Sequence, residues 1–156
     1  MLRFVSILSI AALLCTACST VDLFEKNVVL DNHEWSAGNK PVIEFDITDT
    51  SARYNLYVVI RHGDDYRYNN LWMNIHTQAP GDSTAKVQSL DLTLANNEKG
   101  WLGTGMDDIY EHRIRISQTP IPLKKGRYRF QLEQIMRDDP LPAVYNVGLR
   151  VEKALN

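Results

Sequence analysis

Period-two alternation recurs along this chain and leaves little choice of architecture. In VQSLDLTL (87–94), Leu90, Leu92 and Leu94 fall on one side and Asp91 and Thr93 on the other. In RYRFQLEQ (127–134), Tyr128, Phe130 and Leu132 alternate with Arg127, Arg129 and Gln131, and Ile114 and Ile116 alternate with Arg113 and Arg115. A period of two sends successive side chains to opposite faces, so these segments read as half-buried antiparallel strands. VIEFDI (42–47), LYVVIRH (56–62), LWMNIH (71–76), IYEHRIRIS (109–117) and VYNVGLRVE (144–152) are equally short and rich in β-branched and aromatic residues, and NVVLD (27–31) adds one more. Turn chemistry separates them: GNKP, HGDD, APGDS, NNEKG, PLKKG and DDPLP. There is no helical period and no internal repeat. The reading is all-β: an antiparallel two-sheet sandwich of about eight strands, jelly-roll or immunoglobulin-like, over residues 27–156.

The first twenty residues, MLRFVSILSIAALLCTACST, are of another kind. The apolar run from Phe4 to Leu14 is interrupted only by Ser6 and Ser9 and is shorter than the roughly 20 residues of a spanning helix. Arg3 supplies a positive start and the run ends in small residues, as in a secretory signal. A bacterial lipoprotein signal ends in a small residue directly before the cysteine that is lipidated. Ala17 before Cys18 fits and Leu14 before Cys15 does not, although Cys15 stands where Leu is usual. The expectation is a signal peptide over 1–17, lipidation at Cys18, and a tether over 18–26. The competing readings of the Cys-x-x-Cys pair, as a redox or zinc motif, need a scaffold or further ligands that a hydrophobic leader lacks. An uncleaved anchor or a plain secretion signal are the remaining alternatives.

Composition limits function more than it names it. The 156 residues carry 17 Lys and Arg against 19 Asp and Glu, a net charge of −2, and loss of Arg3 with the signal makes the mature chain one charge more negative. That gives no long-range attraction to nucleic acid. Both cysteines lie in the leader, so thiol chemistry and disulfides are not expected in the sandwich. The glycine cluster KGWLGTGMDD (99–108) lacks the Gly-Lys-Ser/Thr of a phosphate loop, and its spacing does not match a dinucleotide fingerprint. It reads as an irregular loop between strands, or as a contact loop presenting Trp101 and Met106. His33, His62, His76 and His112 show no ligand spacing, and the acidic pairs Asp64–Asp65, Asp107–Asp108 and Asp138–Asp139 sit in turns. No serine lies in a nucleophile elbow. No metal, no cofactor and no enzymatic activity are expected.

Three segments carry a resemblance: LYVVIRHGDDYRYNNLW, KGWLGTGMDDIYEHRI and GRYRFQLEQIMRDDPLPAVYNVGLRVEK. In this order behind a lipoprotein signal, they resemble the gliding-motility lipoprotein GldH family of Bacteroidota, from about Trp35 to Lys153. The matching positions are Arg61–His62, Tyr68 with Asn70–Leu71–Trp72, Gly100–Trp101 with Gly103 and Gly105, Asp108–Ile109, Glu133–Gln134 with Met136–Arg137, and Val147–Gly148 with Arg150. The resemblance implies a non-catalytic outer-membrane lipoprotein, a structural or assembly component of the gliding and type IX secretion machinery or of a broader envelope role. Its partners would be envelope proteins and, through Cys18, the membrane. Ser19 after the lipidated residue favours the outer membrane under the proteobacterial sorting rule. The tether STVDLFEK, without a continuous acidic run, favours the periplasmic face over the cell surface.

Two surfaces follow as candidates. Trp101, Leu102 and Met106, rimmed by Asp107 and Asp108, would form a partner contact, Trp being a frequent interface anchor; otherwise Trp101 plugs one end of the sandwich. The alternative function, a carbohydrate- or peptidoglycan-binding module, would use the aromatic stretch Tyr54, Tyr66, Tyr68 and Trp72 as a stacking platform, provided two or three of these rings are exposed on one concave face with polar groups beside them rather than packed in the core.

Overall fold

In the computed structural model, which describes residues 23–155, alternation has become two facing antiparallel sheets. The strands are β1 (Leu23–Val29), β2 (Glu34–Trp35), β3 (Val42–Ile47), β4 (Arg53–Gly63), β5 (Asn70–Gln78), β6 (Lys86–Thr93), β7 (Ala95–Asn96), β8 (Gly100–Trp101), β9 (Thr104–Met106), β10 (Ile109–Arg115), β11 (Ile121–Pro122), β12 (Gly126–Gln134), β13 (Leu141–Pro142) and β14 (Val144–Lys153). One sheet has the order β1-β14-β4-β10-β9, with β11 pairing with β4 beyond the end of β10. The other has the order β3-β12-β5-β6. The pairs β2–β13 and β7–β8 form small separate ladders. The all-β sandwich expected from the sequence is the observed architecture.

The alternating residues fall where their chemistry requires. On β12, Tyr128, Phe130 and Leu132 are buried while Arg127, Arg129 and Glu133 point outward, and on β3 Ile43, Phe45 and Ile47 are buried between Glu44 and Asp46. Leu56, Val58 and Ile60 of β4 and Val147, Leu149 and Val151 of β14 close the core from the other sheet. Phe45 stacks with Tyr128 and Phe130 at centroid separations of 5.5 and 5.6 Å. Trp35, fully buried, donates its indole N–H to the Asn39 carbonyl (2.8 Å), which satisfies the one polar group of a large apolar side chain.

One boundary differs from expectation. The first strand starts at Leu23 rather than Asn27, so residues 23–26, assigned to a tether on sequence, are already paired with Val151, Glu152 and their neighbours on β14. Glu25 and Lys26 concealed this, because charged residues read as linker. On an edge strand a charge can point outward and find partners, and Glu25 accepts from Arg150 (2.9 Å) and from Arg113 (3.3 Å). Burial alone would push its carboxyl up, but the hydrogen bonds from the two guanidinium groups outweigh this and hold it below the usual carboxylate range. Gly148 lets this edge lie close. A Cβ there would run into Asn27 Oδ1 and come within 2.6 Å of the Lys26 carbonyl. Cys18, the signal peptide over 1–17 and the first part of the tether lie outside the described residues.

Trp35→Ala removes a buried indole from the junction of β2 and β13. It is expected to cost about 3–5 kcal/mol, read as a lower urea midpoint with cooperative unfolding retained.

Candidate functional site

One end of the sandwich gathers the polar and aromatic residues that the alternating pattern does not need. His62, at the end of β4, and His112, on β10, both occupy inward positions and are both buried. Their Nε2 atoms are 2.9 Å apart, and His62 Nδ1 is 2.8 Å from the Gly63 carbonyl oxygen. A carbonyl can only accept, so His62 carries its proton on Nδ1 and leaves Nε2 as an acceptor. His112 must then donate from Nε2–H. When both rings are neutral, these bonds fix both tautomers. Burial lowers the affinity of both rings for a further proton, and the neighbouring His62 adds to this at His112, whose pKa is brought down to about 4. A tetrahedral zinc at about 2.0–2.1 Å from each nitrogen would hold the two roughly 3.3 Å apart, wider than the 2.9 Å of this hydrogen-bonded pair. Among the described residues no group of three metal-ligating side chains occurs.

The glycine segment encloses this pair. It was expected as an irregular loop, but Gly100–Trp101 pairs with Ala95–Asn96, and Thr104–Met106 pairs with β10. Gly103 is required by close approach: a Cβ there would lie 2.8 Å from His112 Nε2 and 2.6 Å from the Glu111 carbonyl. Trp101 is half-buried, sets its ring edge-on to His62 at 4.4 Å between centroids, and donates Nε1–H to Asp64 Oδ1 (3.1 Å). Tyr66 and Tyr110 complete the ring cluster around His62.

The five candidate contact residues are thereby divided. Trp101 faces the histidines. Leu102 is exposed where its N–H reaches the Leu94 carbonyl (2.8 Å). Asp107 and Asp108 form the β9–β10 turn, Asp107 with a φ of 54° and Asp108 accepting from Asp64 N–H (2.8 Å). Met106 is 77% exposed and, with Asp107, lines a groove of about 320 Å³ on the outer face of the larger sheet, beside Arg61, Ile109, Glu111 and Arg113.

The four aromatic candidates are divided too: Tyr54 and Tyr66 belong to the core, and Tyr68 and Trp72 share one groove. Tyr54 is 1% exposed and donates its hydroxyl to the Asp49 carbonyl (2.7 Å). Tyr66 is 5% exposed and donates to the Asn70 carbonyl (3.0 Å), its phenol pushed up by burial. Both follow the core rule for tyrosine, ring inside and hydroxyl satisfied. Tyr68 and Trp72 remain. Trp72 is 44% exposed on the outer face of β5, and Tyr68 is half-buried beside it. The two, with Asn70, Ile135, Met136 and Arg137, line an open groove of about 520 Å³. The loop that carries Ile135, Met136 and Arg137 is fixed from inside by Gln134, which is buried. Gln134 accepts from Met136 N–H (2.7 Å) and donates to the carbonyls of Trp35 and Asp138 (3.2 Å each). Asp138 in turn accepts from the Tyr68 hydroxyl, which raises that phenol above its ordinary range.

Sequence reasoning missed the His62–His112 pair and the role of Gln134. The signal was present in the register. His62 continues the inward series Leu56, Val58, Ile60, and Gln134 continues Tyr128, Phe130, Leu132. A polar residue at a core position of a strand must have a partner.

Because the histidine pair is neutral when folded and binds protons when unfolded below about pH 6.5, stability rises with pH between about 4 and 6.5 and is lost as pH falls through that window. Carboxylates such as Glu133, held down to about 2 by Lys40 and His76, add their own loss only below about 4.5. Between pH 7 and pH 5 the melting temperature of His112→Gln is expected to fall less than that of the wild type. Trp101→Ala is expected to lower stability by about 2–3 kcal/mol, less than a fully buried indole, and to bring the His62 and His112 titrations, read by NMR, back toward ordinary imidazole behaviour.

Several positions on which the resemblance rests meet at this end: His62, Trp101 and Gly103 at the histidine pair, Arg61 on the outer face behind it, and Tyr68, Asn70, Trp72, Met136 and Arg137 at the groove. Comparison with known proteins agrees. A family model described as GldH lipoprotein matches residues 22–151. The chain is 30% identical over 132 residues to a protein of Christiangramia forsetii named gliding motility lipoprotein GldH homolog, covering 80% of each. It is 26% identical over 155 residues to the gliding motility lipoprotein GldH of Flavobacterium johnsoniae, covering 94% of each. Among solved structures, a carbohydrate-binding module specific for non-crystalline cellulose aligns with 82% of this chain and 70% of its own at a TM-score of 0.39 and 11% identity, too distant to bear on a ligand. The chain belongs to the GldH lipoprotein family.

Proposed function

We propose that the chain is a non-catalytic lipoprotein of the outer membrane, held through lipid on Cys18 and facing the periplasm. In this reading it is a structural or assembly component of the gliding and type IX secretion machinery, or of a broader envelope function, and it works by binding envelope proteins. The observation that carries the reading is the family match, which runs from β1 into β14 and so takes in both sheets. The relatives' names supply the gliding connection. The leader supplies the anchor: several acyl chains at about 0.8 kcal/mol per buried methylene give stable attachment where a single chain gives a reversible one. The partner contact is best placed at the β9–β10 turn. There Met106 projects beside Asp107, and the adjoining groove combines an apolar floor at Ile109 with charged walls at Arg61, Glu111 and Arg113. An apolar centre inside a charged rim is the usual composition of a protein interface.

Cys18→Ala is expected to abolish labelling by a palmitate analogue and to move the protein from the membrane pellet to the soluble fraction, while Cys15→Ala leaves labelling intact. Met106→Glu is expected to leave the melting curve nearly unchanged, as exposed substitutions do, and to weaken recovery of crosslinked envelope partners. Retained membrane attachment in Cys18→Ala would defeat the anchor. Undiminished recovery with Met106→Glu would move the contact elsewhere.

A further inference from the structure

The groove between Tyr68 and Trp72 is not explained by packing. Trp72 stands on the outer face of β5, with Asp91 directly across on β6, Asn74 two residues along the same strand, and Ile135 and Met136 bonded to its backbone on the other side. An indole left 44% exposed on that face stabilises nothing in the core. The groove differs from the one beside Met106 in presenting two aromatic rings.

We infer that this groove binds a saccharide chain. The flat C–H faces of a pyranose need an aromatic ring to stack on, and its paired hydroxyls need planar groups that donate or accept at two points. Trp72 and Tyr68 supply the rings. The Asn70 amide and Arg137 guanidinium in the groove, and the Asp91 carboxylate beside it, supply the planar polar groups. Asn70 donates to Asp91 at 2.7 Å, and Ser89 donates to Asn74 at 2.6 Å, so the track leading away from the groove across β5 and β6 is already ordered. Tyr68 is held by Asp138, and Gln134 holds the loop that carries Arg137, so the wall opposite Trp72 needs no rearrangement on binding. A volume of about 520 Å³, open to solvent along its length, suits a segment of a longer polymer better than an enclosed small molecule. Nucleic acid, which shares the stacking chemistry, is disfavoured by Asp91 and by the chain's net charge of −2.

Envelope saccharide could come from peptidoglycan or from lipopolysaccharide, and the test separates them. The full lipidated protein in detergent is mixed in one arm with purified peptidoglycan sacculi and sedimented. In the other it is titrated, by tryptophan fluorescence, with the polysaccharide released from lipopolysaccharide by mild acid. Binding of either probe by the wild type is expected and identifies the source. Trp72→Ala and Arg137→Ala are each expected to weaken it by about tenfold or more, and Trp72→Phe to retain most of it. Arg127→Ala, on the outer face of the same sheet but away from the groove, is expected to leave it unchanged. Failure of the wild type to bind either probe overturns the proposal, as does binding that survives both Trp72→Ala and Arg137→Ala. The choice of envelope saccharides rests on the location proposed above, but the measurement needs no protein partner, so its failure leaves the partner-binding reading standing.

Discussion

Everything at the end of the molecule that carries the candidate surfaces depends on how β4 is satisfied. This strand has β14 along one side and β10, then β11, along the other, with the Ser117 hydroxyl accepting the Leu56 N–H in the gap between them. Its inner face is apolar up to Ile60, and the same alternation then carries an imidazole into the interior at His62. A buried polar ring without partners would cost on the order of 1–3 kcal/mol. Here the cost is offset from two directions, by the Gly63 carbonyl on one nitrogen and by His112 from β10 on the other. The glycine segment is shaped around that solution. Gly103 brings its backbone against His112, and Trp101 covers His62.

The two candidate surfaces are connected through this buried cluster. Tyr66 touches His62 on one side and Tyr68 on the other, at centroid separations of 5.0 and 5.9 Å. The β9–β10 hairpin that carries Met106 starts beside the Gly103 contact with His112. One rigid set of rings thus supports a groove on the smaller sheet and a turn on the larger. The surfaces differ in chemistry, one presenting two aromatic rings with an amide and a guanidinium, the other Met106 and Ile109 among charged residues.

The sandwich was legible because nearly every long strand has one wet and one dry face. Tyr128, Phe130 and Leu132 against Arg127 and Arg129 cannot be read in another way. The six strands of two or three residues, such as β2 and β13, were not legible, since two residues establish no period. The site was half legible. Residue types in the aromatic stretch pointed to stacking, but exposure is set by the partner sheet, and Tyr54 and Trp72 look alike until the core is closed over one of them. The glycine segment misled in the other direction: close approach to a histidine fifty residues after its partner in sequence requires glycine as firmly as a loop does.

The early start of the first strand has a mechanical meaning. Any pull transmitted from the residues before Leu23 enters the domain at the end of β1, which runs antiparallel to β14 with seven pairs from Leu23↔Glu152 to Val29↔Asn146. Traction along the strand axis would have to shear all seven together, whereas traction perpendicular to it would peel them one after another from Leu23. The Glu25 clamp to Arg113 and Arg150 stands two residues inside that end and ties the edge strand across β14 and β4 to β10. A peeling force would therefore have to lift Phe24 from Phe45 and would then meet the Glu25 clamp at the third pair of the ladder.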